Sequence, residues 1–346
     1  MPVQKALFLE RKSSDFVVGT REIPKPGPNE LLVKVQAAGL NPVDYKIQKT
    51  GLYIQEYPTV LGSDIAGDIE ELGDGVDASK WPKGTRVFFQ GWVAPNNAGF
   101  QQYTLIAADL VSKIPHHLSY SQAASIPVAF NCVGYGLLAP VPIGAGLNPN
   151  LDKDVKHTGQ SVLVIGGNTA VGQYAIQYLK KVLDFTFVVA YASNSQAELL
   201  RTLGATHVID RHQVSLGNLP NAFLEITSNA RPPIVFDAFG APEGQQAGYS
   251  LLADNGTLCT VNQEQVQNKV EGKRAFGVVG SVHLTPEHRQ FGLKWVKEVE
   301  RLVSEGVIVP TRVEELPNGL AGIINGLERL QTNKTDGCKL IALPQD

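Results

Sequence analysis

Cysteine is scarce, with Cys132, Cys259 and Cys338 far apart in 346 residues. Neither a disulfide framework nor a cysteine-rich zinc lobe is expected from three scattered thiols. Charge of one sign is also missing: 30 basic and 33 acidic residues leave a net charge of -3 and a pI near 6.2. Without basic runs, binding to nucleic acid or to an anionic membrane surface is not expected. The first residues, Met-Pro-Val-Gln-Lys-Ala-Leu-Phe-Leu-Glu, lack the apolar core of a signal peptide, and no apolar run approaches a membrane span. The expectation is a soluble, cytoplasmic protein. Internal repeats and low-complexity tracts are absent as well.

What is present suits two domains, because the chain is too long for one typical core. The first part reads as β-rich. Glu22 to Glu30 is a proline-stiffened turn, and Leu31–Gln36 then alternates apolar and polar residues, as a half-buried strand does. Further strands are expected at Asp64–Leu72, Arg86–Gln90 and Phe100–Ala107. A helix is expected over Ser121–Leu138, with Ser121 as its N-cap, followed by a Pro/Gly/Asn-rich loop over Ala139–Gln160. Strands and helices then alternate, with late strands at Ile234–Ala238, Gly256–Val261 and Phe276–Val282. That alternation implies a parallel sheet with right-handed crossovers. The tail holds helices around Glu287–Ser304 and Leu320–Thr332 and a closing strand, Cys338–Leu343.

The stretch Ser161–Lys180 carries the chemistry. An apolar strand, a glycine turn and an amphipathic helix follow in that order, which offers backbone N–H groups and the positive end of a helix dipole to a pyrophosphate. Gly166, Gly167, Asn168, Thr169, Ala170 and Val171 are therefore candidate cofactor ligands. Gly167 is expected to make the tight turn and Gly172 to let helix and strand approach. The middle glycine of G-x-G-x-x-G is replaced by Thr169. The next strand, Phe185–Tyr191, ends in Ala-Ser-Asn-Ser with no acidic residue between Asp184 and Glu198. An NAD site usually carries an acid there for the ribose 2′-OH. Its lack leaves room for a 2′-phosphate, with Ser193 and Ser195 as hydrogen-bond donors, Asn194 between them and Arg211 as counter-charge, so NADPH is the expected cofactor.

The chain resembles the medium-chain dehydrogenase/reductase superfamily. The strings that carry the resemblance are Pro24-x-Pro26-Gly27-x-x-Glu30, Gly39-Leu-Asn-Pro-x-Asp44, Gly62-x-Asp64-x-x-Gly67, Leu72-Gly-x-Gly75-Val76 and Ala98-Gly-Phe-x-x-Tyr103. The resemblance implies an α/β protein: a GroES-like, β-rich catalytic domain (1–126 and 283–346) and a Rossmann domain with a doubly wound parallel sheet (127–282). In zinc-dependent relatives the Gly39 region carries a cysteine ligand and the Gly62 region His-Glu; here Asn41 and Asp64 stand at those places. Catalytic zinc needs three protein ligands, so no metal is expected, and the pairs His207/His212 and His283/His288 read as solvated surface residues. What remains is similar to the zinc-free quinone oxidoreductases and enoyl reductases. Gly166-Gly-Asn-Thr-Ala170, Asn41-Pro-Val-Asp-Tyr-Lys46 and the long loop before the Rossmann strand are similar to the fungal trans-acting enoyl reductases that partner polyketide synthases. The resemblance places Cys132, where relatives usually have Thr, near the nicotinamide.

Without a Lewis acid, a simple ketone or alcohol is a poor partner. An activated C=C or a quinone is easier, because conjugation takes up the charge. The implied reaction is hydride transfer from NADPH to an enone or enoyl thioester. A quinone acceptor is the alternative, and a cofactor-binding scaffold docked on a synthase a second one. Tyr45 and Lys46, on one wall of the family's cleft, are the candidates to stabilise the enolate or protonate the α-carbon. Water delivering the proton, and Lys46 gripping the cofactor, remain open. Lys339 either reaches the cofactor or flanks an edge strand. Quinone-reductase relatives pair their last Rossmann strands, so the apolar Phe276–Val282 run suggests a homodimer.

Overall fold

The computed structural model describes residues 2–335 and 337–346. The chain divides into two compact units, Met1–Val128 with Val282–Asp346, and Ala129–Ser281.

The first unit opens with β1 (Val3–Leu9), β2 (Phe16–Glu22), β3 (Glu30–Gly39) and helix α1 (Pro42–Thr50). Then come β4 (Thr59–Val60), β5 (Asp64–Leu72), β6 (Arg86–Gln90), β7 (Tyr103–Ala107), β8 (Ser112–Lys113) and the short α2 (Tyr120–Ala123). Helix α3 (Pro127–Val133) carries the chain into the second unit and ends in a π-turn over Gly134–Leu138. There β9 (Ser161–Ile165), α4 (Ala170–Lys181), β10 (Phe187–Ala192), α5 (Ala197–Leu203), β11 (His207–Asp210) and α6 (Leu219–Ile226) alternate. β12 (Ile234–Asp237), α7 (Pro242–Leu251), β13 (Thr257–Thr260) and β14 (Arg274–Gly277) complete it. The chain returns to the first unit through α8 (Pro286–Ser304), β15 (Val313–Glu315), α9 (Gly319–Gln331) and β16 (Lys339–Ala342). No helix among the described residues is long and apolar enough to cross a membrane.

In the first unit, β3 is the spine of a sheet ordered β15-β16-β3-β5-β6-β8, with β7 also pairing β3. Leu31, Val33, Val35, Ile65, Ile69, Val87, Phe100 and Leu340 fill its core. β16 pairs antiparallel with the end of β3, Ile341 opposite Gly39. The last strand thus completes the sheet at the point where β3 hands over to α1.

The second unit is a parallel sheet ordered β11-β10-β9-β12-β13-β14. Ser161–Ile165 is buried at every position, as a parallel strand covered on both faces must be. The order reverses between β9 and β12, which is the switch point where doubly wound sheets bind ligands. This is the α/β fold expected from the sequence: a β-rich unit and a Rossmann-like sheet.

Several boundaries differ from expectation. The helix over Ser121–Leu138 is broken: Ser119, not Ser121, caps α2 with Gln122 in a capping box, and Pro127 starts a new helix. Proline has no N–H to continue the ladder and disfavours α geometry before it. The strand expected at Phe100–Ala107 begins at Tyr103; Gln101 makes only an isolated bridge to Ala6. The strand expected at Phe276–Val282 runs instead from Arg274 to Gly277. Beyond it the chain passes against α3, where a Cβ on Gly280 would lie 2.6 Å from the Cys132 nitrogen. The apolar run that suggested edge-to-edge pairing is therefore largely not strand.

Candidate active site

The glycine turn of the second unit is built by three residues with separate tasks. Gly166 adopts φ +75, and a Cβ there would lie 2.9 Å from the Phe239 Cβ. The tight turn thus belongs to Gly166, not to Gly167, which instead lies against β10, 3.0 Å from the Ala190 Cβ if it carried a side chain. Gly172 brings α4 onto the turn: a Cβ there would sit 2.3 Å from the Gly166 carbonyl oxygen. Thr169, standing for the missing glycine, caps the helix. Its Oγ1 accepts from the Gly172 N–H at 3.0 Å and donates to the Gly166 carbonyl at 2.9 Å. Such a cap contributes about 1 kcal/mol. The first intrahelical bond runs from Gln173 N–H to the Thr169 carbonyl, so the N–H groups of Ala170 and Val171 precede the ladder. No acid lies in this first turn. Together these features form a cradle fit for a pyrophosphate.

Beyond β12 the loop is fixed by buried Asp237. Its Oδ1 accepts from Phe239 N–H (3.1 Å) and Gly240 N–H (2.8 Å), and Oδ2 from the Thr260 hydroxyl (3.0 Å). Burial pushes its carboxyl above the usual range. Phe239, held by this loop against Gly166, is 53% exposed, an apolar surface at the switch point. At the end of β10, Ser193 Oγ lies 3.0 Å from His212 Nε2, and Arg211 N–H donates to the Ala192 carbonyl at 2.9 Å. Ser193, Asn194, Arg211 and His212 are brought together. Asp210 joins them; its Oδ1 accepts from Asn194 N–H at 3.3 Å and His212 N–H at 3.1 Å.

In the first unit, Asn41 is the N-cap of α1, with Pro42 opening the helix and Asp44 closing a capping box. The expected turn is a full helical start, and Tyr45 and Lys46 are half-buried on it. Burial raises the Tyr45 hydroxyl and lowers the Lys46 amine from their ordinary values. Lys339 does not flank an edge strand: β16 lies between β15 and β3. Its ammonium is buried, 2.6 Å from Asp64 Oδ2 and 2.6 Å from Asn41 Oδ1, and so is committed to those two side chains.

Residues 27–116 match the alcohol dehydrogenase GroES-like domain family, and 170–282 the zinc-binding dehydrogenase family. The chain is 36% identical over 213 residues to a trans-enoyl reductase of Aspergillus terreus, covering 59% of this chain and 67% of that protein. It belongs to the medium-chain dehydrogenase/reductase superfamily. A trans-enoyl reductase of Aspergillus flavipes is 38% identical over 60% of the chain, which spans 59% of that relative's length. Among solved structures, a quinone oxidoreductase from Coxiella burnetii superposes with TM-score 0.71 at 23% identity, covering 98% of this chain and 99% of that one. A mycobacterial protein complexed with NADPH gives 0.78 at 22%, covering 99% of both. These two likenesses show the shared fold.

In this member of the superfamily the expected site residues form two groups. Gly166 to Val171 with Ser193, Asn194 and Arg211 surround the carboxyl ends of β9 and β10. Tyr45 and Lys46 sit on α1 above the Asn41–Asp64–Lys339 cluster. Cys132 lies in α3, packed against Gly280. Asp237 and Phe239 were not singled out from sequence, and His212 was read only as a solvated residue; an Asp at the end of a buried strand, three residues before Gly240, was the available signal for the first. His283 is not a solvated residue: Nε2 lies 3.0 Å from the Gln90 carbonyl and its ring packs 5.6 Å from Trp92. Burial lowers its basicity.

Asp44 gives the fold a pH dependence. Burial pushes its carboxyl up from 3.8 to about 7; the Asn41 N–H and the Lys339 charge pull it down, Asp64 pushes it up, and the Gly62 N–H pulls it down. Between those two values the folded protein holds a proton that the unfolded chain has released. The contribution is complete below about pH 4 and is lost as pH rises through about 7. Asp44→Asn keeps an acceptor for Asn41 N–H but cannot titrate. Thermal unfolding across about pH 4 to 8 should show a decline of order 2–4 kcal/mol in the parent that is absent from the variant. Parallel curves for the two proteins would refute this assignment.

Proposed function

We propose that this oxidoreductase reduces the activated C=C of an α,β-unsaturated carbonyl with NADPH and without a metal. The observation that carries the reading is the buried ammonium of Lys339 between Asn41 and Asp64. These are the places where zinc-dependent relatives carry their ligands. A fixed positive charge there, with one carboxylate and one amide as donors, does not fit a catalytic zinc. Chemistry that needs no Lewis acid is left.

NADPH, when bound, supplies a hydride to the electron-poor carbon of the acceptor. Gly166, Gly167 and Thr169 shape the turn, their own N–H groups donating to the Tyr191 and Gly166 carbonyls, and the N–H groups of Asn168, Ala170 and Val171 with the α4 dipole would hold the pyrophosphate. Ser193, Asn194 and Arg211 would take the 2′-phosphate, with His212 as a further donor, while one oxygen of Asp210 is held by the Asn194 and His212 N–H groups. Cys132 would lie by the nicotinamide, a weaker donor than threonine. As the C=C accepts hydride, its electron pair moves onto the carbonyl oxygen, and the α-carbon then takes a proton. Lys46 is the first candidate for both tasks, because its ammonium brings a full charge to the oxygen and a proton for the carbon. Burial favours release of that proton and disfavours release from the Tyr45 hydroxyl. The names of the fungal relatives support an enoyl thioester presented by a synthase as the natural acceptor. The Coxiella structure keeps quinones as the second reading.

Cofactor oxidation measured with an enone and with a quinone, in NADPH and in NADH, with and without a chelator, tests this. NADPH with the enone should be fastest, and chelation should change nothing. Arg211→Ala should weaken NADPH by about 1–2 kcal/mol and leave NADH unaffected. Equal use of both cofactors overturns the 2′-phosphate site. Activity lost together with stoichiometric zinc overturns the metal-free reading, and turnover of quinones alone selects the second reading.

A further inference from the structure

Four polar side chains of the first unit meet out of reach of solvent: Asn41 (4% exposed), Asp44 (1%), Asp64 (0%) and Lys339 (6%). They come from the cap and first turn of α1 and from the first residues of β5 and β16. Asp64 is fully engaged. Its Oδ2 accepts from Lys339 Nζ (2.6 Å) and Asn41 Nδ2 (2.9 Å), and its Oδ1 from Val128 N–H (2.6 Å). The Asn41 amide is thus held at both ends, Oδ1 by the ammonium and Nδ2 by the carboxylate. Its own N–H donates to Asp44 Oδ2 at 2.7 Å.

Taking an ammonium and a carboxylate out of water is expensive, and a well-packed apolar pair often holds a core as well or better. An apolar pair has no directional hold on an amide, however. Here that hold falls on the residue that starts α1, directly ahead of Asp44, Tyr45 and Lys46. Fixing both ends of the cap amide fixes the azimuth of the first helical turn, hence the direction in which Lys46 leaves the helix. A displacement of about 1 Å at a reacting group can cost 100-fold in rate.

We propose that Lys339 is a positioning residue: its ammonium is an internal cation, standing where relatives hold a metal, that orients the first turn of α1 for the reduction. The inference rests on the reductase reading above. It concerns the grip on α1, which can be read without turnover.

The test uses the double variant Asp64→Asn with Lys339→Met, which removes both members of the ion pair together, and Asn41→Ala, which cuts the link while keeping the ion pair. Amide hydrogen exchange over Asn41–Lys46 should speed up at least about tenfold in both, with the β3–β5 pairing unaffected. With an enone, kcat should fall about tenfold while KM for NADPH stays within about twofold. In a Lys46→Ala background the same changes should cost less than about twofold more, because the residue being oriented is gone. Unchanged exchange overturns the proposal whatever the activity. So does faster exchange with unchanged kcat, or a loss fully additive with Lys46→Ala. A parent protein that oxidises NADPH with neither enones nor quinones refutes the reductase reading instead, and the exchange rates still decide whether Lys339 grips α1.

Discussion

Gly172→Ala is expected to weaken NADPH binding at least 100-fold, about 3 kcal/mol. The added methyl would lie 2.3 Å from the Gly166 oxygen and 2.8 Å from the Gly167 Cα. Both are backbone atoms of a turn already held by Thr169, so neither can step aside. α4 has to retreat along its own length. The Thr169–Gly172 cap at 3.0 Å then opens, and the N–H groups of Ala170 and Val171 move away from the place a pyrophosphate would take. Stability should fall as well, since a helix that packs along β9 loses its closest approach. A control is available on α7, where a Cβ on Gly244 would meet only Ile165 Cγ2 at 3.7 Å. That is ordinary contact, so Gly244→Ala should bind NADPH normally and be no less stable. Fluorescence titration of both variants decides the matter. Parent-like affinity in the Gly172 variant would mean that the cofactor does not sit on this turn.

The second large effect concerns Lys46. Its replacement by alanine should lower kcat for an enone on the order of 100-fold, with a smaller change in NADPH affinity. The reasoning is differential: an ammonium beside the carbonyl oxygen matters little while that oxygen is neutral and much once charge develops there. Tyr45→Phe should cost less, because burial makes its hydroxyl a poorer proton donor. A quinone acceptor should suffer less from either change, since aromatisation already stabilises the reduced oxygen. Steady-state rates for both acceptors give the comparison. Enone turnover at the parent rate in Lys46→Ala would leave protonation to water and reduce the residue to a wall.

How much could be read from the sequence follows the range of the interactions. The β9–turn–α4 unit is local, so its strand, its glycines and its helix were recognisable within twenty or so residues. Even there, the assignment of the tight turn to Gly167 rather than Gly166 failed, because only the position of β10 decides which glycine must turn and which must stay small. Pro127 punctuates an apolar stretch whose composition alone reads as one helix. β14 ends at Gly277, and beyond it Gly280 lies against Cys132, nearly 150 residues earlier in the chain, an approach that no window contains. The motif strings around Asn41 and Asp64 were visible, as was the substitution of zinc ligands. What took their place was not, since Lys339 is 298 residues from Asn41 and sits in a strand that reads as an ordinary edge.

That separation also bears on how the molecule comes together. β16 follows the whole Rossmann-like unit in the chain, yet the β-rich unit is incomplete without it. The inserted unit can close its sheet from contacts within itself, whereas the end of β3 must wait for a distant partner in β16, a high contact order that slows folding. Until β16 arrives, Asp64 remains in water and the cap of α1 is held by Asp44 alone. Docking of β16 is therefore the step that brings Lys339 to the Asp64 carboxylate and holds the cap amide of α1 at both ends.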